Sequence, residues 1–326
     1  MSTSRTVVAW LWVCLMLPAA PCAIAQGGAW KPEKNVAIIA PVAKGGGTDT
    51  TARLVERVLR EQRLVDAVMG VVNKSEGGGA ETWAYLASVP GNGHYLAIIT
   101  PPLLIGANAP RPAAYTPLTL LYSEYVMIAV RADSPIKTGR DLAARLKKDA
   151  SSVSLAVAPA LGSHNHLAPA LVARAAGGEA TKMRVEIFRT GTAAADAVIA
   201  GRADLVSSSI GTLLSRVGSG QLRPLGLTAA KRLGGPLAAV PTWKEQGLDV
   251  VLPSWRGVIG PGGLSREQVA YWEAVFLKLS FDDRWLTELR KQWWESAYLN
   301  NSETLKFLQE QQALLNSALR RLDLAP

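Results

Sequence analysis

The residues most suited to chemistry in this sequence lie in a glycine-rich loop between a predicted strand and a predicted helix. Glycine lets the backbone come close to a ligand, and a helix N-terminus offers unpaired N–H groups and a partial positive charge that favour an anion. Thr48 or Asp49 can cap the helix, and Lys44 adds a full positive charge. The alternative is a tight connection with a solvated lysine. The loop comprises Lys44, Gly45, Gly46, Gly47, Thr48 and Asp49.

Similar loops follow other predicted strands and open other predicted helices. Three glycines after the second strand form a second glycine-rich loop at the same edge of the predicted sheet. Two such loops indicate that this edge forms the rim of a cleft. Further along the chain, backbone N–H, hydroxyl and amide groups occupy corresponding positions, and these groups suit hydrogen bonding to a carboxylate. These additional candidates are Gly78, Gly79, Gly162, Ser163, His164, Asn165, Thr190, Gly191, Thr192 and Ser208.

Other kinds of site fit the sequence less well. The first loop does not end in Gly-Lys-Ser/Thr and does not match Gly-x-Gly-x-x-Gly, which disfavours a nucleotide site. His164 and His166 would point to opposite sides of an extended segment, which disfavours a zinc site. No Gly-x-Ser-x-Gly elbow is present, and Ser163 beside His164 lacks an orienting acid. We therefore expect no metal, no cofactor and no catalytic residue.

The elements that must position these loops alternate along the chain. Apolar runs at 36–41, 67–72 and 94–100 are separated by helical patterns, and this βαβαβ order predicts a parallel sheet covered by helices. A second series begins near Tyr125. Its strands are predicted at 126–130, 153–157, 184–187, 204–207 and 222–228, and the C-terminal helices at 266–279, 284–292 and 303–322.

The order of these series predicts two lobes. Residues 26–124 and 229–326 are assigned to lobe 1 and residues 125–228 to lobe 2, so that the chain crosses between lobes near Ser123 and near Thr228. Two crossings make a hinge beside a cleft, which is a common place for a small-molecule site. Trp255 lies near the second crossing and can close over the apolar part of a ligand.

Residues 1–25 have the pattern of a secretory signal. Arg5 precedes an apolar run at 7–17 that is too short to span a bilayer, and Ala-Ile-Ala at 23–25 predicts cleavage after Ala25. Processing as a lipoprotein at Cys22 is the alternative, which the neighbouring proline disfavours. Both cysteines, Cys14 and Cys22, lie in this segment, so the mature chain has no thiol for a disulfide or a metal site. We expect a periplasmic protein.

Composition narrows the class of protein. The chain has 326 residues, of which 48% are apolar, and this is enough to form two cores and to exclude disorder. Its formal net charge is 35 − 26 = +9, which suits an anionic partner. The basic residues are scattered and no nucleic-acid-binding motif accompanies them, so we expect no nucleic acid among the partners.

The order of segments resembles the substrate-binding proteins of tripartite tricarboxylate transporters, the TctC or Bug family. The resemblance covers nearly all of the mature chain. Its pieces are APVAKGGGTDTTARL (40–54), VVNKSEGGGAETWAYLAS (71–88), PGNGHYLAIITPPLL (90–104), GSHNHLAPALVARAAG (162–177), FRTGTAAADAVIAGRADLVSSS (188–209), GQLRPLGLTAAKRLGGPLAAVPTWKEQG (220–247) and SWRGVIGPGGLS (254–265).

The resemblance implies an α/β fold of the periplasmic-binding-protein type, a two-lobe Venus flytrap with parallel-rich sheets and a hinge. It also implies a monomeric solute-binding protein that captures a small organic carboxylate and delivers it to a membrane permease. Residues 44–49 from one lobe, with 162–165 and 190–192 from the other, would hold the carboxylate. The alternatives are a ligand-reporting partner of a membrane sensor and, less favoured, a secreted α/β hydrolase.

Two segments depart from the family pattern. Residues 42–44 are Val-Ala-Lys where many members have Phe-Ala-Ala, and residues 207–209 are Ser-Ser-Ser where many members have an aspartate. An aspartate there can pair with an amine of a ligand. Its absence, together with the added lysine, predicts that the ligand is an anion without a positively charged group.

Overall fold

The computed structural model describes residues 30–105, 110, 112–158 and 161–321. The predicted signal sequence and its cleavage site lie outside the described residues. No helix in the described part is long and apolar enough to cross a membrane.

The described part of the chain contains ten strands. They form one sheet with a separate part in each lobe, and helices cover both faces of each part. The strands are β1 (Val36–Ala40), β2 (Met69–Asn73), β3 (Tyr95–Ile99), β4 (Tyr115–Arg131), β5 (Ser154–Val157), β6 (Arg184–Ile187), β7 (Leu205–Ser209), β8 (Leu222–Leu227), β9 (Pro253–Pro261) and β10 (Glu295–Leu299). The helices are α1 (Gly47–Glu61), α2 (Ala80–Ala87), α3 (Gly139–Lys148), α4 (His164–Ala175), α5 (Gly191–Ile199), α6 (Ile210–Gly218), α7 (Arg266–Ser280), α8 (Asp283–Gln292) and α9 (Asn301–Arg321).

Strand β4 joins the two lobes. Its first part pairs with β9 as far as Tyr125, opposite Pro253, and its second part pairs with β7 and β8 from Val126 onward. The strand order is β2-β1-β3-β9-β4-β7-β5-β6, with β8 and β10 also on β4. The chain therefore has the predicted α/β two-lobe fold, although the strand predicted to begin near residue 126 already begins at Tyr115.

Strand direction makes the loops of the two lobes face each other. Strands β1, β2 and β3 are parallel, β3 is antiparallel to β9, and β9 is antiparallel to β4, so these three strands run toward lobe 2 as β4 does. Strands β5, β6 and β7 are parallel to one another and antiparallel to β4, so they run toward lobe 1. The carboxyl ends of both sets lie at the junction, which is where α/β sheets bind ligands.

Helix α1 illustrates how the sequence covers these sheets. Its apolar residues recur at helical spacing, so one face packs on lobe 1 while the arginines remain on the other face. Leu54, Val55, Val58 and Leu59 are buried in one core with Trp272 and Trp285. The opposite face of that sheet has a second core, and the sheet of lobe 2 is likewise covered on both faces.

The packing of residues 229–252 differs from the predicted division into lobes. Leu237 and Val240 lie in one core of lobe 2, and Val250 and Leu252 lie in the other. Only from Pro253 does the chain pair with lobe 1. The lobe boundaries remain a prediction, and this packing favours placing the second crossing at Leu252 rather than at Thr228, because apolar side chains remain with the core that buries them.

Helix α9 contacts both lobes. Leu308 packs in a core of lobe 1, whereas Leu315 and Leu319 pack in a core of lobe 2. The predicted helix at 303–322 thus lies across the junction instead of belonging to lobe 1 alone. Helix α6 and strand β10 are additional to the predicted elements. Ile210, Leu213, Leu214 and Val217 of α6 do recur at helical spacing, whereas β10 has no clear apolar period of its own.

Candidate functional site

The first glycine-rich loop leads directly into α1, as the sequence predicts. The helix begins at Gly47 with Gly46 as its N-cap, and no side chain caps it. Neither Thr48 nor Asp49 is therefore the cap that the sequence allowed. Gly45 has a φ of +85°, which is a left-handed conformation. Glycine adopts this conformation at little cost and other residues rarely do, so the loop needs glycine at this position. Lys44 is exposed at the surface of the loop.

Asp49 holds the first loop together. The residue is 2% exposed, and its carboxylate accepts hydrogen bonds from the backbone N–H of Gly45 and the side chain of Arg53, both at 2.9 Å. Asn73 donates to the same carboxylate at 2.9 Å and to the carbonyl oxygen of Val42 at 2.8 Å. Because all these partners belong to the loop or its supports, the role of Asp49 is to shape the loop.

The electrostatics of Asp49 agree with this role. Burial alone would raise its pKa, but hydrogen bonds from Arg53, Gly45 and Asn73 lower the pKa to about 2. The carboxylate is consequently ionised at any physiological pH, and its charge is balanced by Arg53, whose guanidinium lies 2.9 Å away. The loop therefore needs no cation from solution to balance the charge of Asp49.

The second glycine-rich loop lies beside the first. Asn73 is the last residue of β2, so its bonds to Val42 and Asp49 tie the two loops together. A short 3₁₀ helix, Glu76–Gly79, carries Gly78 and ends at Gly79, which has a φ of +107°. A Cβ at Gly79 would collide with the side chain of Leu103. The structure brings residues 44–49 and 78–79 to one edge of lobe 1.

In lobe 2 the corresponding loop leads into α4. Gly162 has a φ of +74°, and its N–H donates to Nδ1 of His166 at 3.0 Å. Asn165 donates from its side chain to the carbonyl oxygen of Ala158 at 2.8 Å. Burial lowers the pKa of His166. Neutral groups therefore organise this loop, and His166 supports it rather than binding a metal.

Ser163 and His164 occupy the first turn of α4 but do not form a catalytic pair. The buried Oγ of Ser163 and Nε2 of His164 each lack a hydrogen-bond partner within the described structure. Burial and the charge of Arg256 lower the pKa of His164 to about 3, although a hydrogen bond with the backbone of Pro253 opposes the shift. His164 is thus neutral, and it lies against the start of β9 at the junction.

The third helix N-terminus of the predicted site belongs to α5. Thr190 is its N-cap and accepts a hydrogen bond from the N–H of Ala193 at 3.1 Å, while Thr192 is exposed. Ser208 is 2% exposed and packs so closely on Gly191 that a Cβ there would collide with its Oγ. Ser208 therefore acts as a support for this turn, and its side chain is covered.

Trp255 departs from its predicted position over the cleft. Its side chain is fully buried, lies 5.4 Å from the ring of Phe307 in a T-shaped arrangement, and donates from Nε1 to Gln311 at 3.1 Å. The alternation of side chains along β9 places the indole on the α9 side. In this arrangement Trp255 presents no face to a ligand.

The junction contains a buried polar cluster that the sequence analysis missed. Arg256 and Glu124 form an ion pair at 2.9 Å with side chains 14% and 10% exposed. The indole N–H of Trp294 donates to the other oxygen of Glu124 at 3.0 Å, and its ring stacks on Tyr122 at 4.0 Å. Glu124 lies 132 positions from Arg256 and 170 positions from Trp294 in the sequence, so no local pattern connects it with either partner.

Taken together, the junction has helix N-termini approaching from both lobes. Such termini bind an anion through fixed N–H groups without any chemical step. No group of three or more His, Asp or Glu residues that could hold a metal ion occurs among the described residues. A surface groove of about 590 Å³ lies elsewhere on lobe 2, and the ion pair between Asp196 and Arg216 is part of its lining.

Comparison with solved structures agrees with this architecture. A Polaromonas TctC solute-binding protein is 24% identical, with a TM-score of 0.73 over 89% of this chain and 99% of that one. Rpa4515 of R. palustris, solved with adipate, is 22% identical with a TM-score of 0.78 over 90% and 99%. MatC of Rhodopseudomonas palustris, solved with malate, is 21% identical with a TM-score of 0.73 over 88% and 99%. At these identities the likeness establishes the two-lobe fold.

Sequence comparison identifies the family. A protein encoded between tcbD and tcbE in Pseudomonas sp. strain P51 is 27% identical over 73% of this chain and 71% of its own length. A protein of Agrobacterium vitis is 28% identical over 73% and 69%. The family model described as the tripartite tricarboxylate transporter family receptor matches residues 108–324. This confirms the prediction of a receptor rather than an enzyme, and the chain belongs to the TctC family of tripartite tricarboxylate transporter receptors.

Proposed function

We propose that this protein is a periplasmic solute-binding protein that captures a small organic carboxylate between its lobes and delivers it to a tripartite tricarboxylate-type permease. Family membership supports the receptor role. The adipate and malate in two proteins of the same fold support the class of ligand. The predicted signal at residues 1–25 supports the compartment.

The single observation that carries the proposal is the pair of glycine-rich helix N-termini at facing sheet edges. The loop before α1 is held by Asp49, and the loop before α4 is held by His166. Each leaves backbone N–H groups at the start of its helix, where the partial positive charge favours a carboxylate. We propose that residues 44–49, 78–79, 162–165 and 190–192 line the site, with Ser208 as a support.

The ligand is an anion without an amine in this proposal. Ser207 and Ser208 are 0% and 2% exposed at the end of β7, and neither carries a charge. Asp49 is already saturated by three donors and is not free to pair with an ammonium group. A carboxylate with an uncharged body therefore satisfies the site, whereas an amino acid would bring a positive charge that has no partner.

Binding drives closure in this account. A carboxylate held by one helix N-terminus completes its hydrogen bonds only when the other lobe approaches, so the closed form binds the ligand more tightly. A ligand that shifts an even mixture of forms to 99% closed must bind the closed form about a hundredfold more tightly. Closure then presents a surface that the permease can recognise.

A thermal-shift screen of the mature protein tests the proposal. Mono-, di- and tricarboxylates, aromatic carboxylates and matched amino acids are compared, and positive compounds are followed by titration calorimetry. Ligand at a hundred times Kd stabilises a binding protein by about 2.7 kcal/mol, so the melting temperature rises by several degrees. Mass spectrometry of the incubated ligand serves as the control for turnover. Stabilisation by amino acids but by no carboxylate, or conversion of the ligand, would contradict the proposal.

A further inference from the structure

The polar cluster at the junction lies on one side of the two crossing strands. Tyr122 pairs with Arg256 and Glu124 pairs with Ser254 in the antiparallel ladder of β4 and β9. Directly opposed residues of such a ladder project to the same side of the sheet. The side chains of all four therefore share one face, and Trp294 joins them there through its bond to Glu124 and its stack on Tyr122.

Most of the hydrogen-bonding capacity of this cluster is used, although the buried Nε of Arg256 has no partner within the described structure. Glu124 accepts from Arg256 with one oxygen and from Trp294 with the other. Arg256 also donates to Ser254 at 3.1 Å and to the carbonyl oxygen of Trp255 at 2.9 Å. Desolvating an ion pair costs about as much as the pair returns, so such a pair contributes more to a fixed geometry than to stability.

On the lobe 1 side, the cluster is connected to the first turn of α1. The hydroxyl of Tyr122 lies 2.6 Å from Oγ1 of Thr51, and the Thr51 hydroxyl donates to the carbonyl oxygen of Gly47 at 3.1 Å. Tyr122 and Thr51 are both fully buried. The position of the first glycine-rich loop is thus set against the crossing strands by direct contacts.

On the lobe 2 side, the cluster faces the first turn of α4. The backbone of Pro253, the first residue of β9, is the hydrogen-bond partner of His164, and the positive charge of Arg256 acts on the same imidazole. Thr228 secures the other edge of the crossing, since its Oγ1 accepts from the N–H of Val126 at 3.0 Å and donates to the carbonyl oxygen of Leu252 at 2.9 Å.

We propose that Glu124, Arg256, Trp294 and Tyr122 form a positioning device that sets the angle between the lobes and so holds the N-termini of α1 and α4 in register for one ligand. The inference rests on the proposed function and adds residues that do not touch the ligand. Side-chain contacts run from Gly47 to Arg256, and strand β9 continues from Arg256 to Pro253, whose backbone is the hydrogen-bond partner of His164. A change at the ion pair therefore alters the relation of the two loops.

The test uses Glu124→Gln, which weakens the ion pair, and Tyr122→Phe, which removes only the hydroxyl at Thr51 and keeps the stacked ring. Glu61→Gln is the matched control, because Glu61 pairs with Arg284 at 2.8 Å on the exposed surface. Spin labels on Lys148→Cys and Lys278→Cys report the distance between lobes, since the mature chain has no cysteine of its own. Calorimetry gives Kd for the carboxylate selected by the thermal-shift screen.

For Glu124→Gln we expect a distance distribution that is broader without ligand and a Kd raised about tenfold. For Tyr122→Phe we expect the same changes at about threefold, and for Glu61→Gln neither change. A folded Glu124→Gln protein with lowered melting temperature but unaltered Kd and distances would overturn the inference. If wild type binds no carboxylate, the proposed function fails, and the ligand-free distances of the variants still decide whether the cluster sets the angle.

Discussion

The loop before α1 and the loop before α4 each contain a glycine with a positive φ, but different groups hold them in place. In lobe 1 a charged network surrounds Asp49, with Arg53 as its counter-ion. In lobe 2 neutral groups do the same work, with His166 accepting from Gly162 and Asn165 donating to Ala158. The difference is electrostatic. The first turn of α1 contains Asp49, which offsets the positive end of that helix, whereas the first turn of α4 contains no acidic residue.

Removing the carboxylate that shapes the loop before α1 should have the largest effect on both stability and ligand affinity. Asp49→Ala leaves the N–H of Gly45 and the amide of Asn73 without their acceptor, so we expect the free energy of unfolding to fall by about 2–3 kcal/mol and carboxylate binding to become undetectable. Urea unfolding and calorimetry measure the two effects. Glu56→Gln is the matched control, because Glu56 pairs with Arg60 on the same helix at the same spacing but is more exposed. Unchanged affinity in Asp49→Ala would contradict the assignment of this loop.

Removing the neutral support of lobe 2 should have a smaller effect on stability. His166→Ala leaves the N–H of Gly162 unpaired, and we expect a loss of about 1–2 kcal/mol together with a clear rise in Kd. His94→Ala is the control, since His94 bonds to Asn92 at the edge of lobe 1 where β3 begins, away from the junction. If His94→Ala raises Kd as much as His166→Ala, the comparison between the loops fails.

Acid should distinguish the two loops by the pH at which each weakens. The pKa of His164 is lowered from 6.5 to about 3, so the unfolded chain binds a proton that the folded chain does not, and stability falls as the pH drops through that interval. The pKa of Asp49 is lowered from 3.8 to about 2, so its contribution is lost only below pH 4.

Melting temperatures measured from pH 7 to pH 3 check this order. We expect His164→Gln to flatten the decline between pH 6.5 and pH 4, because glutamine does not titrate, whereas Asp49→Asn should leave that part of the profile as steep as in wild type. A decline of equal slope in wild type and His164→Gln would refute the assignment of this interval to His164.

Substituting the glycines with positive φ should have the smallest effects on stability. Gly45 and Gly162 have φ values of +85° and +74°, and neither site has an atom close enough to obstruct a Cβ. Each alanine variant should therefore lose about 1 kcal/mol from backbone strain alone. If the carboxylate of the ligand interacts more strongly with the helix N-terminus of lobe 2 than with that of lobe 1, Gly162→Ala raises Kd further than Gly45→Ala. The reverse order would assign the stronger contact to lobe 1.

The sequence reveals the loops but not what holds them. Residues 44–49 and 162–165 could be placed before helices because glycine and the apolar period are local signals. The bonds from Asn73 to Asp49 and from Glu124 to Arg256 join residues 24 and 132 positions apart, and no local pattern encodes them. The place of Trp255 near a crossing predicts that it lies over a ligand in the cleft. Side chains alternate along β9, however, and this alternation directs Trp255 into the core.

The structure of the protein with its best carboxylate tests the central claim most directly. We predict that the two carboxylate oxygens lie between the lobes and accept hydrogen bonds, directly or through one water, from backbone N–H groups in the first turns of α1 and α4, at 47–49 and at 164–165. A carboxylate bound outside the junction, or held by one lobe alone in a closed protein, would contradict the account.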